Sequence, residues 1–295
     1  HLNQLNAVDA VLRYFQDPLH PFGGVQIVLC GDFFQLPPIG SQGETSKEKF
    51  AFMSEAWSMA GMYVCYLTEQ YRQSDNDLNL ILNEIRTGKI SEKSYHKLQG
   101  ATKNSLKAAE EPTKLYTHNT DVDRINAEQL AKLPGVTKSF KAKTSGNKKL
   151  IETLKKSVLA GENLAFKIGA KVMFVKNDKE KRYVNGSLGT VIGFSDAGVP
   201  SVKLLDGRTI FAEKEDWSIA DDSGKTLANY KQIPLRLAWA ITVHKCQGMT
   251  LDAAEIDLSK TFEMGQGYVA LSRLKKLECL KLKGLNEMAL QVDGL

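Results

Sequence analysis

Between Thr242 and Arg273 the chain concentrates residue types that bind ligands. Thr242, His244, Lys245, Gln247, Gly248 and Thr250 crowd together directly after the apolar run Leu235–Ile241. That run reads as a buried strand. A second apolar run, Ala254–Leu258, precedes a short helical stretch presenting Gln266, Tyr268, Ser272 and Arg273. Open α/β sheets bind ligands where their strands end, so polar clusters there read as a site. A capped helix start would produce the same TVHKCQG string, but two such clusters on consecutive strands favour the site.

A third cluster lies near the beginning. The apolar run Val25–Cys30, bounded by glycines, reads as a buried parallel strand and ends in Gly31-Asp32-Phe33-Phe34-Gln35-Leu36-Pro37-Pro38. Asp32 would be either a magnesium-holding acid of a P-loop enzyme or part of a sensor loop on a neighbouring strand. A proline-rich turn is the plainer alternative. Ser223-Gly224-Lys225-Thr226 imitates a phosphate-binding loop, but the required upstream glycine is Ile219, and Asp221 and Asp222 would repel phosphate. No other P-loop pattern occurs.

The elements that must position these residues follow from periodicity. Helices are expected over His1–Phe15, Phe50–Met59, near Asp77–Thr87, about Ser91–Leu98 and near Asp121–Leu133. Tyr63–Leu67 and the short Leu115–Asn119 read as strands, and Ser41–Lys49 as a loop. Between about Thr137 and Lys231 the texture becomes short β-runs: Lys171–Val175, Leu188–Phe194, Ser201–Leu205 and Thr209–Phe211. Asn185-Gly186 and Asp206-Gly207 mark hairpins. This pattern suggests a small β-barrel inserted into an α/β domain, whose texture resumes at Ile233.

The 295 residues suggest about two domains, with a hydrophobic share of 42% and a charged share of 25%. No run is long enough to span a membrane. Cys30, Cys65, Cys246 and Cys279 are scattered, which fits reduced thiols rather than zinc or a disulfide scaffold. An intracellular setting follows, cytoplasmic or nucleoid in a bacterium, nuclear or mitochondrial in a eukaryote. Net charge is +5. Lys138–Arg182 holds thirteen basic and four acidic residues, a local +9, so the remainder sums to −4. A basic segment on a faintly acidic body suggests a polyanion partner. A solvated lysine-rich surface is the alternative.

Three blocks together resemble the petite integration frequency (PIF) family of DNA helicases, relatives of the RecD-type helicases of superfamily one: GDFFQLPP at 31–38, LAWAITVHKCQGMTLD at 237–252 and GQGYVALSR at 265–273. EQYRQSD at 69–75, LYTHNTDVDRIN at 115–126 and IGAKVMFVKND with YVNGSLGTV across 168–191 support the resemblance in the family's order.

The resemblance implies an α/β fold: the end of one RecA-like parallel-sheet domain (1–68), a second RecA-like domain (69–136 and 232–295) and an inserted basic β-barrel (137–231). It implies ATP-dependent, 5′-to-3′ translocation on single-stranded DNA, with unwinding at duplex junctions in repair, recombination or telomere maintenance, by a monomer. Gln35 would sense the γ-phosphate, and Arg72 and Arg273 would be arginine fingers. Gly248 and Gln266 would also face the nucleotide. Thr117, His118, Asn119, Thr242, His244, Lys245 and Gln247 would grip DNA. Phe33 and Phe34, with Tyr268, would stack on bases, or pack in the core. The family's P-loop lysine and Asp-Glu metal pair match nothing in this chain. ATP and Mg²⁺ would be held mainly by upstream residues, so the chain is expected to be a C-terminal portion without metal ligands of its own. A nucleic-acid-binding module lacking ATPase activity is the alternative. A nuclease is disfavoured, because no carboxylate cluster suits two metals.

Overall fold

The computed structural model describes residues 1–40, 43–106, 112–221 and 223–294. Asp222 and the first two residues of the expected Ser41–Lys49 loop lie outside the described residues. The chain is mixed α/β and divides into two compact units, His1–Thr117 with Val243–Leu295, and His118–Thr242.

In the first unit, Thr113–Tyr116, Ala254–Leu258 and Leu280–Leu285 run parallel, with Ala254–Leu258 in the middle. Leu115, Ile256 and Leu282 align across the three strands and are all buried. The helix Asn76–Arg86 buries Leu78, Ile81, Leu82 and Ile85, the helical spacing of one apolar face. Asp75 caps its start and Gly88, at φ +66°, follows its end. A separate small core joins Leu5 of the helix Leu2–Phe15 to Phe22 and Ala56. Buried Asp9 accepts the Phe22 N–H at 2.6 Å and the Arg13 Nε at 2.8 Å.

Two expected strands are not formed. Val25–Cys30 and Tyr63–Leu67 run as irregular, exposed backbone, with Val28 at 83% and Leu67 at 93% exposure. A buried parallel strand exists through ladders to its neighbours, and no described strand pairs with either run. The expected helix Phe50–Met59 breaks at Ser54, whose hydroxyl accepts the Trp57 N–H at 3.1 Å and starts the helix Glu55–Met59.

The second unit opens with the helix Asn119–Lys132. An antiparallel five-stranded sheet follows the order Leu235–Leu237, Lys171–Phe174, Leu188–Phe194, Pro200–Leu204, Thr209–Phe211. Asp206-Gly207 makes the last hairpin, with Gly207 at φ +89°. A second sheet orders Lys143–Gly146, Thr226–Gln232 and Glu215–Ala220, and Lys138–Lys141 pairs with Asn163–Phe166. Phe166, Val172, Phe174, Val191, Val202 and Leu235 fill the core. Tyr183 stacks on Phe174 with ring centroids 3.9 Å apart. The amphipathic helix Lys148–Ser157 sets Leu154, Leu150 and Ile151 against Tyr230 and Ile219.

The expected single strand Leu235–Ile241 is two pieces, Leu235–Leu237 and Ala240–Thr242. Buried Asn126 explains part of the break. Its side-chain amide donates to the Ala240 carbonyl at 2.9 Å and accepts the Ala240 N–H at 3.0 Å.

Candidate functional site

The first unit brings three distant stretches together: the turn at Asp32–Gln35, the segment Arg72–Asp75, and the residues from His244 to Leu277. The helix Gln266–Leu271 lies at their centre, every residue of it buried. Gly265 begins it at φ +83°, a conformation that suits glycine, and a Cβ there would come within 2.6 Å of the Gln35 carbonyl oxygen. The Asp32–Gln35 turn therefore packs directly against the helix start.

Arg273 follows the helix and is only 2% exposed. Its Nε donates to Val269 O at 2.8 Å, Nη2 to Ser272 Oγ at 2.7 Å and Nη1 to Met249 O at 3.4 Å. Arg72 donates through Nη1 to Ser272 O at 3.2 Å and through Nε to Thr250 Oγ1 at 3.1 Å. Both guanidiniums thus hold the same serine. Neither makes an ion pair among the described residues; Glu263 instead faces His244 Nε2 at 3.3 Å. Burial, and then the nearby Arg72 charge, press the Arg273 pKa below its ordinary value. A buried cation beside a half-buried one, neither paired with an acid among the described residues, favours an anion.

The contact between 72–75 and 272–277 continues as a strap. Gln73 Nε2 reaches Ser272 O at 2.9 Å and Leu274 O at 3.1 Å. The Ser74 N–H donates to Lys275 O at 3.1 Å, and Asp75 Oδ2 accepts the Leu277 N–H at 2.7 Å.

Asp32 organises the opposite side. Its Oδ1 accepts the Phe34 N–H at 3.1 Å, and its Oδ2 accepts the Tyr268 hydroxyl at 3.1 Å and Gln35 Nε2 at 3.4 Å. Gln35 Oε1 in turn accepts Gln247 Nε2 at 3.1 Å. The Tyr268 hydroxyl is pushed up to about 12 by burial and by the Asp32 charge. Arg86, at the end of Asn76–Arg86, lies 4.8 Å over the Phe34 ring and 6.0 Å from that of Tyr268. Sequence reasoning missed Arg86, which belongs to no motif; its place as the last-turn cation of an amphipathic helix was the only signal.

The other expected residues are placed unevenly. Gln266 is fully buried; its Oε1 accepts the Phe262 N–H at 3.2 Å, while Nε2 has no partner among the described residues. Gly248 is exposed at φ +83°. His244 lies beside the Phe262 ring at 6.1 Å, and Lys245 is half-buried. Thr117 is buried and spends its hydroxyl on Lys260 O at 3.1 Å. Phe33 meets Phe50, Phe52 and Trp57 edge-on and remains 43% exposed. Thr242, His118 and Asn119 belong to the second unit, Thr242 buried in its last strand and the other two at the start of Asn119–Lys132. Cys246 donates to Val243 O, and burial pushes its thiol up to about 12, which makes it an inert core residue. Among the described residues no group of three or more His, Cys, Asp or Glu could hold a metal ion.

A family model described as PIF1-like helicase matches residues 1–96, and one described as DNA helicase Pif1, 2B domain, matches residues 149–194. The chain is 45% identical to the ATP-dependent DNA helicase Pif1 of Psychrobacter sp. (strain PRwf-1), across 100% of this chain and 53% of that protein. It is 38% identical to the ATP-dependent DNA helicase PIF1 of Homo sapiens, across 97% of this chain and 45% of that one. It thus spans about half the length of these relatives. The crystal structure of the Candida albicans Pif1 helicase superposes with a TM-score of 0.85 at 31% identity, covering 99% of this chain and 72% of that one. A Bacteroides Pif1 helicase solved in complex with ADP-AlF3 and single-stranded DNA superposes at 0.76, with 30% identity, 99% of this chain and 70% of that one.

Proposed function

The chain belongs to the PIF1-like helicase family, and on that premise we propose that it is the C-terminal portion of an ATP-dependent DNA helicase that translocates 5′ to 3′ on single-stranded DNA and unwinds duplexes. The observation that carries this reading is the pair Arg72 and Arg273, converging on Ser272 with no acidic partner among the described residues. Phosphoryl transfer asks a protein for little covalent work; it needs positive charge placed where the transferring group becomes more negative. Planar, permanently charged guanidiniums suit that task. Gln35 would sense the γ-phosphate, and its bond to Gln247 supports a link to the DNA-binding side.

The residues present fit the nucleotide's terminal phosphate but not Mg²⁺. Asp32 is occupied by Tyr268 and Gln35, and no described acidic cluster supplies ligands. Mg²⁺ and the β-phosphate would be held by the family's P-loop lysine and Asp-Glu pair, which match nothing in this chain.

On the DNA side, Thr117, His244 and Lys245 in the first unit, and separately His118, Asn119 and Thr242 in the second, would contact backbone phosphates without reading sequence. The antiparallel sheets within 137–231 would be the inserted β-barrel, and residues 1–68 the end of a first RecA-like domain. Family resemblance alone supports a monomer working in repair, recombination or telomere maintenance.

The test is DNA-stimulated ATP hydrolysis by the complete enzyme. Arg72→Ala and Arg273→Ala should each lower kcat by about 10³-fold or more while single-strand affinity without nucleotide persists. Arg→Lys should rescue poorly, because a point charge cannot reproduce the fork. Stable, DNA-binding variants with near-normal kcat would remove the arginines from the mechanism.

A further inference from the structure

We propose that Gln73 is a positioning residue that locks the two guanidiniums into one rigid pair; the inference rests on the functional reading above. The helix Gln266–Leu271 is short, so its final carbonyls need partners from elsewhere. Ser272 O takes two donors, Arg72 Nη1 and Gln73 Nε2. The same Gln73 nitrogen also reaches Leu274 O at 3.1 Å. A single amide group therefore brackets Arg273, holding the carbonyls of the residues on either side of it. Gln73 is at the same time the chain neighbour of Arg72. One half-buried side chain thus ties the backbone of the second guanidinium to the backbone of the first.

The chemistry of the amide matters. The site needs donors for two carbonyls lying beside two cations. A lysine would add a third positive charge. A glutamate would present acceptors to acceptors and would offer the arginines a resident anion in competition with a phosphoryl group. Glutamine supplies both N–H bonds from one neutral nitrogen. Ser74 and Asp75 continue the attachment, so the strap is anchored beyond Gln73 and its removal should loosen the pair without unfolding the segment.

The experiment uses the complete enzyme and follows single-strand-stimulated ATP hydrolysis. Gln73→Met keeps side-chain length and packing but has no donor; Gln73→Ala removes the chain. Each should lower kcat by about 10²-fold, the scale of a displaced catalytic group, with the KM for ATP and the single-strand Kd changed less than about twofold. Gln73→Glu should be worse than either. The decisive measurement is a double-mutant cycle. Because Gln73 acts through the arginines, Gln73→Met placed on Arg72→Ala should cost less than about threefold further. A full additional loss on that background would overturn the proposal. So would a normal kcat, or a lowered melting temperature with unchanged turnover per folded molecule. Hydrolysis that depends on both arginines but ignores Gln73 removes only this inference. A wild-type enzyme without DNA-stimulated hydrolysis removes it together with the reading beneath it.

Discussion

In the proposed function Arg273 would serve structure and chemistry with the same atoms. Its three bonds to Val269 O, Met249 O and Ser272 Oγ close the end of a buried helix. Truncation to Ala strands those acceptors and should cost about 2–3 kcal/mol of stability in addition to any catalytic loss. Turnover must therefore be read per folded molecule. Tyr268 offers a cleaner probe. Its folded pKa is about 12 against an ordinary 10.0. A raised pKa means that the contribution to stability is complete below pH 10 and is lost as pH rises through 12. Urea unfolding between pH 9 and 12 should show a shallower alkaline fall for Tyr268→Phe than for wild type. An identical fall would assign the alkaline limb to other groups, Tyr183 first among them. Little at this scale was legible beforehand. The motif strings nominated Arg72 and Arg273 as candidates, but no spacing could reveal that they share Ser272, nor that Arg86 covers Phe34. Such contacts depend on tertiary packing, which leaves no local period in a sequence.

Elements were more legible where burial has a period. The helix Asn76–Arg86 was readable because Leu78, Ile81, Leu82 and Ile85 mark one face, and Asp206-Gly207 because a tight hairpin demands positive φ. Val25–Cys30 and Tyr63–Leu67 misled for a physical reason: an apolar run records a tendency to be buried, while a strand also needs a partner for its backbone. The basic helix Lys148–Ser157 shows a second limit. Four of its lysines looked equivalent in the sequence, yet Lys155 is drawn between Glu152 and Glu162, at 3.2 and 3.3 Å. Lys148, Lys149 and Lys156 are exposed. Changing those three to Gln should lower the salt slope of single-strand binding by about 0.7 for each phosphate no longer neutralised, and Lys155→Gln should lower it less. Binding of unrelated oligonucleotides across a salt series gives the answer. An unchanged slope would leave the helix as solvated surface.

For the whole molecule, the +9 stretch lies in the second unit and the arginine pair in the first, so on the proposed function sequence-independent affinity would belong to the second unit. The two capacities should be separable. Supplied alone, this chain should bind single strands yet hydrolyse ATP no faster than background, because it contains no glycine-rich loop and lysine to cradle the β- and γ-phosphates. DNA-stimulated turnover by the chain itself, abolished in Arg273→Ala, would contradict that. The strap has one more consequence, and it concerns time. Arg72 and Ser272 are separated by 200 residues, and the unit that holds them is interrupted by the continuous stretch His118–Thr242. A ribosome adding roughly 5–20 residues each second would need about 10–40 s to deliver the second half of the site after the first. The interrupting unit is completed within that interval, before Ser272 is added, and is then free to fold on its own contacts. The nascent chain would therefore complete its basic unit before it could bring Arg72 and Arg273 together.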